Sequence, residues 1–466
     1  MASTTKDTPT SITSQTLQFP QEIIDLFIDY LYQELEIKEA GEALVACTLV
    51  SRSFSASARR CLWSTLVISE RVSSRQIITR RFGYSRSELE PALYLRLSSL
   101  RLLLESQSGF RSFIRIVRIE VGPVIHGDPE STGLRSVVDG LISRAKNMDT
   151  LWITRMPGAL PMNWPYNKPT IAQPLITLLS SVKFTHLRIE DVNDFPNDIL
   201  KRCSSIRSLQ LVAATFKQKN GSQSPTSSHA SSQTLQLDEL MIQYGLEGAY
   251  REISQSNISL SKLKTFQAYV SSLQEASIVQ KLIKEGMFSL ISLELTVRVD
   301  MMMMGHAGGT LSTFAGGHID LGQFPKLLNL RLHIRREHHT LFQSLEDTFS
   351  LLNPITHPTR LESIDITVNH QHLSAVSKAL HLYHTNDAPW TLLEPSVLRK
   401  KHPHLRRLFI KLNLGIGSSP QVSNSEKRDV EQSLQKFLQS IIFPSSSSSS
   451  VSNSTVASLG LEVVVL

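Results

Sequence analysis

The sequence predicts an α/β protein in two parts: a small all-helical module over residues 19–66 and an irregular α/β solenoid over residues 67–466. Two observations lead to this prediction. Apolar residues at three- and four-residue spacing dominate the first part, as in short amphipathic helices. In the second part, a six-residue pattern with apolar residues at its first, fourth and sixth positions recurs about ten times. The length of 466 residues also exceeds that of most single domains.

The first helix of the module is expected to begin at Pro20, because proline suits the first turn of a helix, where its missing N–H costs nothing. A single apolar stripe should follow along this helix. It consists of Ile23, Ile24, Phe27, Ile28 and Leu31. We interpret the polar and acidic stretch from Gln33 to Glu42 as a linker to a second apolar run, Ala43 to Val50.

A third helix is predicted after Ser51 or Ser53, because a serine hydroxyl can accept a hydrogen bond from the first turn. One face of this helix is apolar and carries Phe54, Ala58, Cys61 and Leu62. Three short helices with so much apolar surface have few residues with which to form a core of their own. We therefore expect the module to bind a partner protein, or to cap the end of the solenoid, where repeat proteins need a cap.

Each copy of the six-residue pattern predicts a short strand with its apolar side chains on one face. The clear copies begin at Ile116, Met148, Phe184, Ile206, Leu237, Leu290, Leu327, Leu361 and Leu405. In the first copy, Ile119 and Val121 take the fourth and sixth positions. A poorer copy begins at Leu263, and a last strand is expected at residues 459–463.

The segments between these strands carry helical spacing, at 134–146, 198–203, 273–286, 341–352, 373–381 and 430–442. Strand, loop and helix in repetition are typical of a leucine-rich-repeat-like solenoid, in which each unit buries its apolar face against its neighbours. The steps are irregular, because Phe184 follows Met148 by 36 residues and Ile206 follows Phe184 by 22, whereas the regular repeat has about 20–29. The alternative is an open parallel sheet. The large number of strands and the lack of a glycine-rich turn after an early strand argue against it.

Several segments have the composition of disordered chain, rich in serine, threonine, glutamine or glycine. They are a leader at 1–18 and insertions at 217–234, 301–318, 415–425 and 444–455.

Composition favours an intracellular protein without nucleic-acid or membrane partners. The net charge of +7 is spread over the whole chain, so its field is weak, and the basic clusters lack the interleaved aromatic residues of many nucleic-acid binders. Three cysteines cannot make a disulfide framework and indicate a reducing compartment. Since neither a signal sequence nor a membrane-spanning apolar run is present, we expect a cytoplasmic or nuclear location.

No arrangement typical of an enzyme stands out, and we expect no catalytic site, no metal site and no cofactor. Histidines are paired at His370 and His372, His381 and His384, and His402 and His404. No cysteine lies near these pairs to complete a zinc site. The glycine-rich segment 305–309 lacks the Lys-Ser or Lys-Thr ending of a phosphate-binding loop. Cys47 lies in an apolar run, which indicates a buried thiol and not a nucleophile.

The module resembles a known family. Phe19-Pro20 opens the segment, and the more specific part is the run Leu49-Val50-Ser51-Arg52, followed by Phe54 and by Leu62-Trp63. These residues resemble the F-box, and more narrowly the F-box-like proteins of mushroom-forming fungi. A degenerate leucine-rich-repeat region often accompanies that module.

The resemblance implies a substrate-recognition subunit of a Skp–cullin–F-box type ubiquitin ligase. In such a subunit the module binds the Skp-type adaptor of the cullin complex, and the solenoid presents a protein substrate, here unknown. The residues assigned to adaptor binding or its support are Phe19, Pro20, Ile23, Ile24, Leu31, Leu49, Val50 and Trp63. The stretch from Gln33 to Glu42 is longer than in compact F-boxes, which motivates an alternative: a non-catalytic solenoid scaffold without ligase association.

Overall fold

The structure is a computed structural model that describes the amino-terminal helices and the strands of the second part. The described residues are 20–34, 37–69, 97–106, 108–121, 134–155, 162–164, 169–196, 200, 203, 205–217, 234–298, 320–336, 357–370, 400–414, isolated positions between 425 and 436, and 460–465. The expected disordered segments 1–18, 301–318 and 444–455 lie outside them. So do 217–234 and 415–425, apart from Lys217, Thr234 and Ser425.

Three helices form the amino-terminal module: α1 (Gln21–Glu34), α2 (Ile37–Cys47) and α3 (Arg52–Leu62). Ser51 caps α3, because its hydroxyl accepts a hydrogen bond of 3.3 Å from the Phe54 N–H. This confirms one of the two predicted caps.

The interpretation of Gln33 to Glu42 as a linker is wrong. Its described residues belong to the end of α1 and the first half of α2. Ala40, Leu44 and Cys47 recur at four- and three-residue spacing and are buried on one side of α2. A helix with one buried side can keep polar residues on the other, and Glu39 and Glu42 are exposed on α2.

The second part is built on strands and on helices that pack against their apolar face. The strands are β1 (Thr65–Ser69), β2 (Ile116–Val121), β3 (Thr150–Arg155), β4 (Met162–Asn163), β5 (His186–Glu190), β6 (Val192–Asn193), β7 (Ser208–Val212), β8 (Leu235–Gln236), β9 (Glu239–Gln243), β10 (Ile258–Ser259), β11 (Thr265–Val270), β12 (Ser292–Arg298), β13 (Asn329–Arg336), β14 (Ser363–His370), β15 (Arg407–Leu414) and β16 (Gly460–Val465). The helices are α4 (Ser108–Arg111), α5 (Leu134–Arg144), α6 (Pro169–Ser181), α7 (Leu246–Gln255) and α8 (Leu273–Gly286), with a helical segment at 97–106.

Twelve of the strands form one parallel sheet, and their order in space is their order along the chain. The sheet runs β1-β2-β3-β5-β7-β9-β11-β12-β13-β14-β15-β16, while β4 pairs with β6 and β8 with β10 in two small sheets. β1 spans the boundary placed at residue 66 and follows α3 almost directly. A doubly wound sheet reverses its strand order at a switch point. The absence of a reversal in the described sheet favours the predicted solenoid over the open α/β sheet.

The register of the sheet aligns the apolar positions of the repeated pattern. The fourth positions form one row across the strands, exemplified by Leu187, Leu209 and Leu240, and the sixth positions form another. The first copy was placed in the wrong register. Its buried residues are Ile114, Val117 and Ile119, because Val117 pairs with Leu151 and Ile119 with Ile153. Ile116 lies on the other face.

Helices predicted at 134–146 and 273–286 are confirmed as α5 and α8. α6 and α7 were not predicted. α6 contains Pro174, which disguises the helical pattern, although Leu175, Leu178 and Leu179 are buried along one side. The segments 198–203, 341–352, 373–381 and 430–442 lie wholly or largely outside the described residues.

Candidate protein-binding surfaces

The three helices of the module enclose a small apolar core. Its buried residues are Ile24, Ile28, Leu44, Cys47, Ala58 and Cys61, with Leu31, Phe54 and Leu62 packed against them. This cluster is distinct from the large cluster that lies under the sheet. The module therefore keeps its shape by packing its own helices together.

Polar contacts fix α1 beside α3. The Ser57 hydroxyl donates to Asp25 Oδ1 at 2.5 Å, and the Cys61 thiol donates to Asp29 Oδ1 at 3.5 Å. The Arg60 guanidinium lies 3.6 Å from the Asp25 carboxylate and 3.9 Å from that of Asp29. Since the partners in both hydrogen bonds are 32 residues apart, the two helices run side by side in the same direction.

These contacts set the protonation of two groups. Hydrogen bonds from Ser57 and from Gln21, together with the Arg60 charge, lower the pKa of Asp25 against the opposing effect of burial. Burial and the bond to Asp29 raise the pKa of Cys61 to about 11. The Cys61 thiol therefore stays protonated at neutral pH and acts as a hydrogen-bond donor, not as a nucleophile.

The opposite side of α1 carries large apolar side chains that are exposed. Ile23, Leu26, Phe27 and Tyr30 have between 48 % and 66 % of their surface accessible. Their spacing of three and four residues places them in one line along the helix, which we call the α1 stripe. A helix that is apolar on both sides can bury one of them in its own module and offer the other to a partner.

The turn between α2 and α3 adds two exposed apolar residues, Leu49 and Val50, with Leu49 accessible over 84 % of its surface. The ring of Phe27 lies 6.1 Å from that of Phe54 in an edge-to-face arrangement, so the α1 stripe approaches the end of α3 at which this turn lies. Trp63 lies at the other end of α3, about 16 Å away along a helix of this length, and is also exposed.

The structure separates the residues assigned to adaptor binding into two groups. Exposed positions are Pro20, Ile23, Leu49, Val50 and Trp63, whereas Ile24 and Leu31 belong to the core of the module. Phe19 lies outside the described residues.

The prediction of one apolar stripe on α1 is wrong, because the helix has two. Ile24, Ile28 and Leu31 point into the core, while Ile23 and Phe27 point to solvent. Sequence reasoning also missed Leu26 and Tyr30. The signal that could have found them is the second line of apolar residues at positions 23, 26, 27 and 30.

The outward face of the sheet is a second surface with organised polar contacts. Arg118, Trp152 and Arg188 are neighbours in register on β2, β3 and β5. The guanidinium carbons of Arg118 and Arg188 lie 3.8 and 4.4 Å, respectively, from the centroid of the Trp152 indole ring. Arg118 pairs with Glu120 at 2.9 Å, and Arg188 pairs with Glu190 at 3.1 Å. The charges in this part of the face neutralise each other.

The outward face at β12–β15 is more basic. Arg331 lies 3.8 Å from the Glu294 carboxylate and 3.5 Å from that of Asp365. Arg407 lies 3.5 Å from Asp365. A hydrogen bond from His333, with the charges of His333 and Arg331, lowers the pKa of Glu294 although burial acts in the opposite direction. Both carboxylates are therefore already engaged by cations of the same face.

The structure places several of the histidines and the cysteine that were considered as chemical groups in the sequence. No group of three or more His, Cys, Asp or Glu side chains among the described residues could hold a metal ion. His402 is buried, its Nδ1 lies 2.7 Å from the Thr359 hydroxyl oxygen, and burial lowers its pKa to about 4. Cys47 is buried, and burial raises its pKa. His372, His381 and His384 lie outside the described residues.

A membrane-spanning helix is also absent from the described part of the chain, where no helix is both long and apolar enough to cross a bilayer.

Comparisons with known proteins leave the family open. No family model matches the chain, and no curated protein matches it. A solved structure with detectable similarity is the crystal structure of the Rad7 and Elc1 complex in yeast, at 11 % identity over 88 % of this chain and 97 % of that chain, with a TM-score of 0.29. Similarity at that level carries no argument about function, so the F-box resemblance stays a prediction, and the function has to be inferred from the two surfaces.

Proposed function

We propose that this protein is the substrate-recognition subunit of a Skp–cullin–F-box type ubiquitin ligase. The amino-terminal module binds a Skp-type adaptor, and the sheet holds a protein substrate. The resemblance of residues 19–66 to the F-box motivates the proposal, and one structural observation supports it. Fourteen large apolar side chains are exposed among the described residues, and nine of them lie between Ile23 and Trp63.

Apolar surface concentrated in this way is typical of a protein interface. Burial of one large apolar side chain is worth about 1.5–3 kcal/mol, so a few of the nine suffice to stabilise a complex. Capping of the sheet does not account for them, because the α1 stripe remains exposed with the sheet in place. Their exposure is explained if a second protein covers the module.

The alternative of a scaffold without ligase association loses its motivation. It rested on a long linker from Gln33 to Glu42, and the described residues of that stretch are helical. The module is thus a compact bundle of three helices joined by short connections.

Adaptor binding tests the proposal directly. A purified Skp-type adaptor is immobilised, and binding of the full-length protein is measured by biolayer interferometry. Leu26→Asp and Leu49→Asp each place a charge on an exposed position, so they should leave the fold intact. We expect each variant to bind at least about tenfold more weakly, as for central residues of an interface.

The matched control is Phe288→Asp. Phe288 is exposed over 67 % of its surface, as much as Leu26, but lies beyond α8 and outside the module. The Phe288→Asp variant should bind the adaptor with the same affinity as the unaltered protein. Adaptor binding that is absent in the unaltered protein, or unchanged in both module variants, would contradict the proposal.

A further inference from the structure

The strands of the main sheet divide into a charge-balanced part and a basic part. From β1 to β11 they carry three cations, Arg118, Arg155 and Arg188, and three anions, Glu120, Glu190 and Glu239. From β12 to β16 they carry Arg298, Arg331, Arg335, Arg336, Arg407 and Lys411 against Glu294, Asp365 and Glu462. Positive charge is thus concentrated on the later strands.

The in-register pairing arranges the outward residues in rows across the strands. Glu294, Arg331 and Asp365 share one row, in which Arg331 bridges the two carboxylates. The anions of β12–β14 are therefore confined to this row, and cations of the neighbouring rows also contact them, His333 at Glu294 and Arg407 at Asp365.

The next two rows toward the carboxyl ends of the strands differ in composition, and we call them the carboxyl-end rows. The first consists of Tyr269, Thr296, His333, Thr367 and Lys411, and the second of Arg298, Arg335, Asn369 and Asn413. Neither row contains a carboxylate on β11–β15. On β2 and β5 the position corresponding to the first row is occupied by Glu120 and Glu190.

Each side chain in the carboxyl-end rows can donate a hydrogen bond, as the Asn413 amide does to Asn369 Oδ1 at 2.6 Å, and Arg298, Arg335 and Lys411 are basic. Arg298 and Arg335 are register partners on adjacent strands, whose backbones are about 4.8 Å apart. Burial raises the pKa of Tyr269, although the charges of Arg298 and Arg335 oppose this, so its hydroxyl remains a donor. Tyr244 packs on Tyr269 with ring centroids 4.4 Å apart. Guanidinium, ammonium, hydroxyl and amide donors together complement carboxylates, which only accept.

The dimensions suit a short peptide. Four strand spacings separate β11 from β15, which is about 19 Å. An extended chain advances about 3.3 Å per residue, so a segment of about six residues laid across the strands would cover both rows.

We propose that the carboxyl-end rows of β11–β15 bind an extended segment of a partner protein that is rich in aspartate and glutamate. The inference depends on the proposed function only in identifying that partner as the ligase substrate. Charge complementarity between the rows and the segment holds whether or not the module binds an adaptor.

Fluorescence anisotropy with the full-length protein tests this inference. The probe is a fluorescein-labelled peptide of six glutamates flanked by glycines, and the matched peptide has six glutamines. We expect the glutamate peptide to bind and the glutamine peptide not to bind, with affinity falling as the salt concentration rises. In the double variant Arg335→Gln/Lys411→Gln, the affinity for the glutamate peptide should fall about five- to tenfold, since each exposed ion pair contributes a modest amount to the binding free energy.

The control is Arg251→Gln/Lys284→Gln. It removes the same charge from exposed positions on α7 and α8, away from the outward face, and should leave the affinity unchanged. Circular dichroism establishes that both variants fold. If Arg335→Gln/Lys411→Gln unfolds, Lys411→Gln alone replaces it, with Lys284→Gln as its control.

Three results would overturn the inference. The first is no binding of the glutamate peptide at low salt, and the second is an equal loss of affinity for that peptide in the two double variants. The third is tighter binding of a ten-nucleotide thymidine strand than of the peptide. The last would indicate a nucleic-acid surface instead. No adaptor is present in this assay, so the peptide site and the adaptor proposal can fail independently.

Discussion

The hydroxyl of Ser57 on α3 donates a hydrogen bond to Oδ1 of Asp25 on α1. The Gln21 amide nitrogen lies 2.9 Å from both the Asp25 carboxylate and the Ser57 hydroxyl oxygen. Three side chains from two helices thus form one closed network. Because Ser57 is buried, the network links the apolar core of the module to its polar surface.

Ser57→Ala should raise the pKa of Asp25 and lower the free energy of unfolding of the module by about 1–2 kcal/mol, since the hydrogen bonds of the Ser57 hydroxyl with Asp25 and Gln21 are lost. A carboxyl with a lowered pKa stabilises the fold only while it is ionised, so the difference should shrink as the pH falls below the ordinary value of 3.8. NMR titration of Asp25 and urea denaturation measure the two effects. Ser53→Ala, at an exposed position of α3, is the control, and an equal loss in that variant would contradict the role of the network.

Ile28→Ala should destabilise the module by about 2–5 kcal/mol, because Ile28 is fully buried and its removal leaves a cavity. Ile23→Ala, on the exposed side of the same helix, should change the free energy of unfolding by no more than about 0.5 kcal/mol. Urea denaturation followed by circular dichroism distinguishes them. Similar losses in the two variants would show that α1 does not have separate buried and exposed sides.

Gly322→Ala should destabilise the later part of the sheet by roughly 1–3 kcal/mol, the usual cost of overpacking. A Cβ at this position would lie 2.7 Å from the His357 carbonyl oxygen and 2.9 Å from the His357 nitrogen, and backbone atoms cannot move aside as a flexible side chain can. Gly248→Ala is the opposite case. Gly248 lies inside α7 with open space at its Cβ position, so that variant should gain about 0.5–1 kcal/mol. Thermal denaturation of both variants checks the contrast in sign.

Stability should also decrease as the pH falls from 6.5 toward 4, because His402 is buried in its neutral form. Its pKa is about 4 in the folded protein against an ordinary value of 6.5, so the unfolded chain binds a proton that the folded chain excludes. The loss amounts to about 1.4 kcal/mol per pH unit, or about 2 kcal/mol between pH 7 and pH 5.

Urea denaturation at both pH values measures this loss. His402→Gln removes the titrating group and is expected to lower stability at pH 7 while giving a flatter pH dependence. A variant with the same pH dependence as the unaltered protein would show that His402 does not cause it.

Much of the sheet could be predicted from sequence because its strands obey a simple rule. Residues such as Leu209 and Leu211 must point to the same side of a strand, and parallel pairing in register repeats that requirement from unit to unit. The rule does not fix where the pattern starts when apolar residues are adjacent. Ile114, Ile116, Val117 and Ile119 allow two registers, and pairing with β3 selects between them.

The surface of the module was harder to predict, because sequence spacing reveals apolar lines without showing which line is buried. On α1, Ile23 and Ile24 are consecutive residues, but Ile23 is exposed and Ile24 is buried. Ile24 is the buried one because it packs in one cluster with Leu44 and Ala58 of the other helices. Those contacts are set by tertiary packing and not by the pattern within α1.

Because strand order follows chain order, each unit of the sheet is held by the units directly before and after it. A unit could be duplicated or deleted without changing the order of the remaining strands. A longer connecting segment between two strands need not disturb their register. This tolerance allows steps as different as 22 and 36 residues in one sheet. The same arrangement would let a lineage alter one stretch of the outward face while the remaining strands keep their pairing.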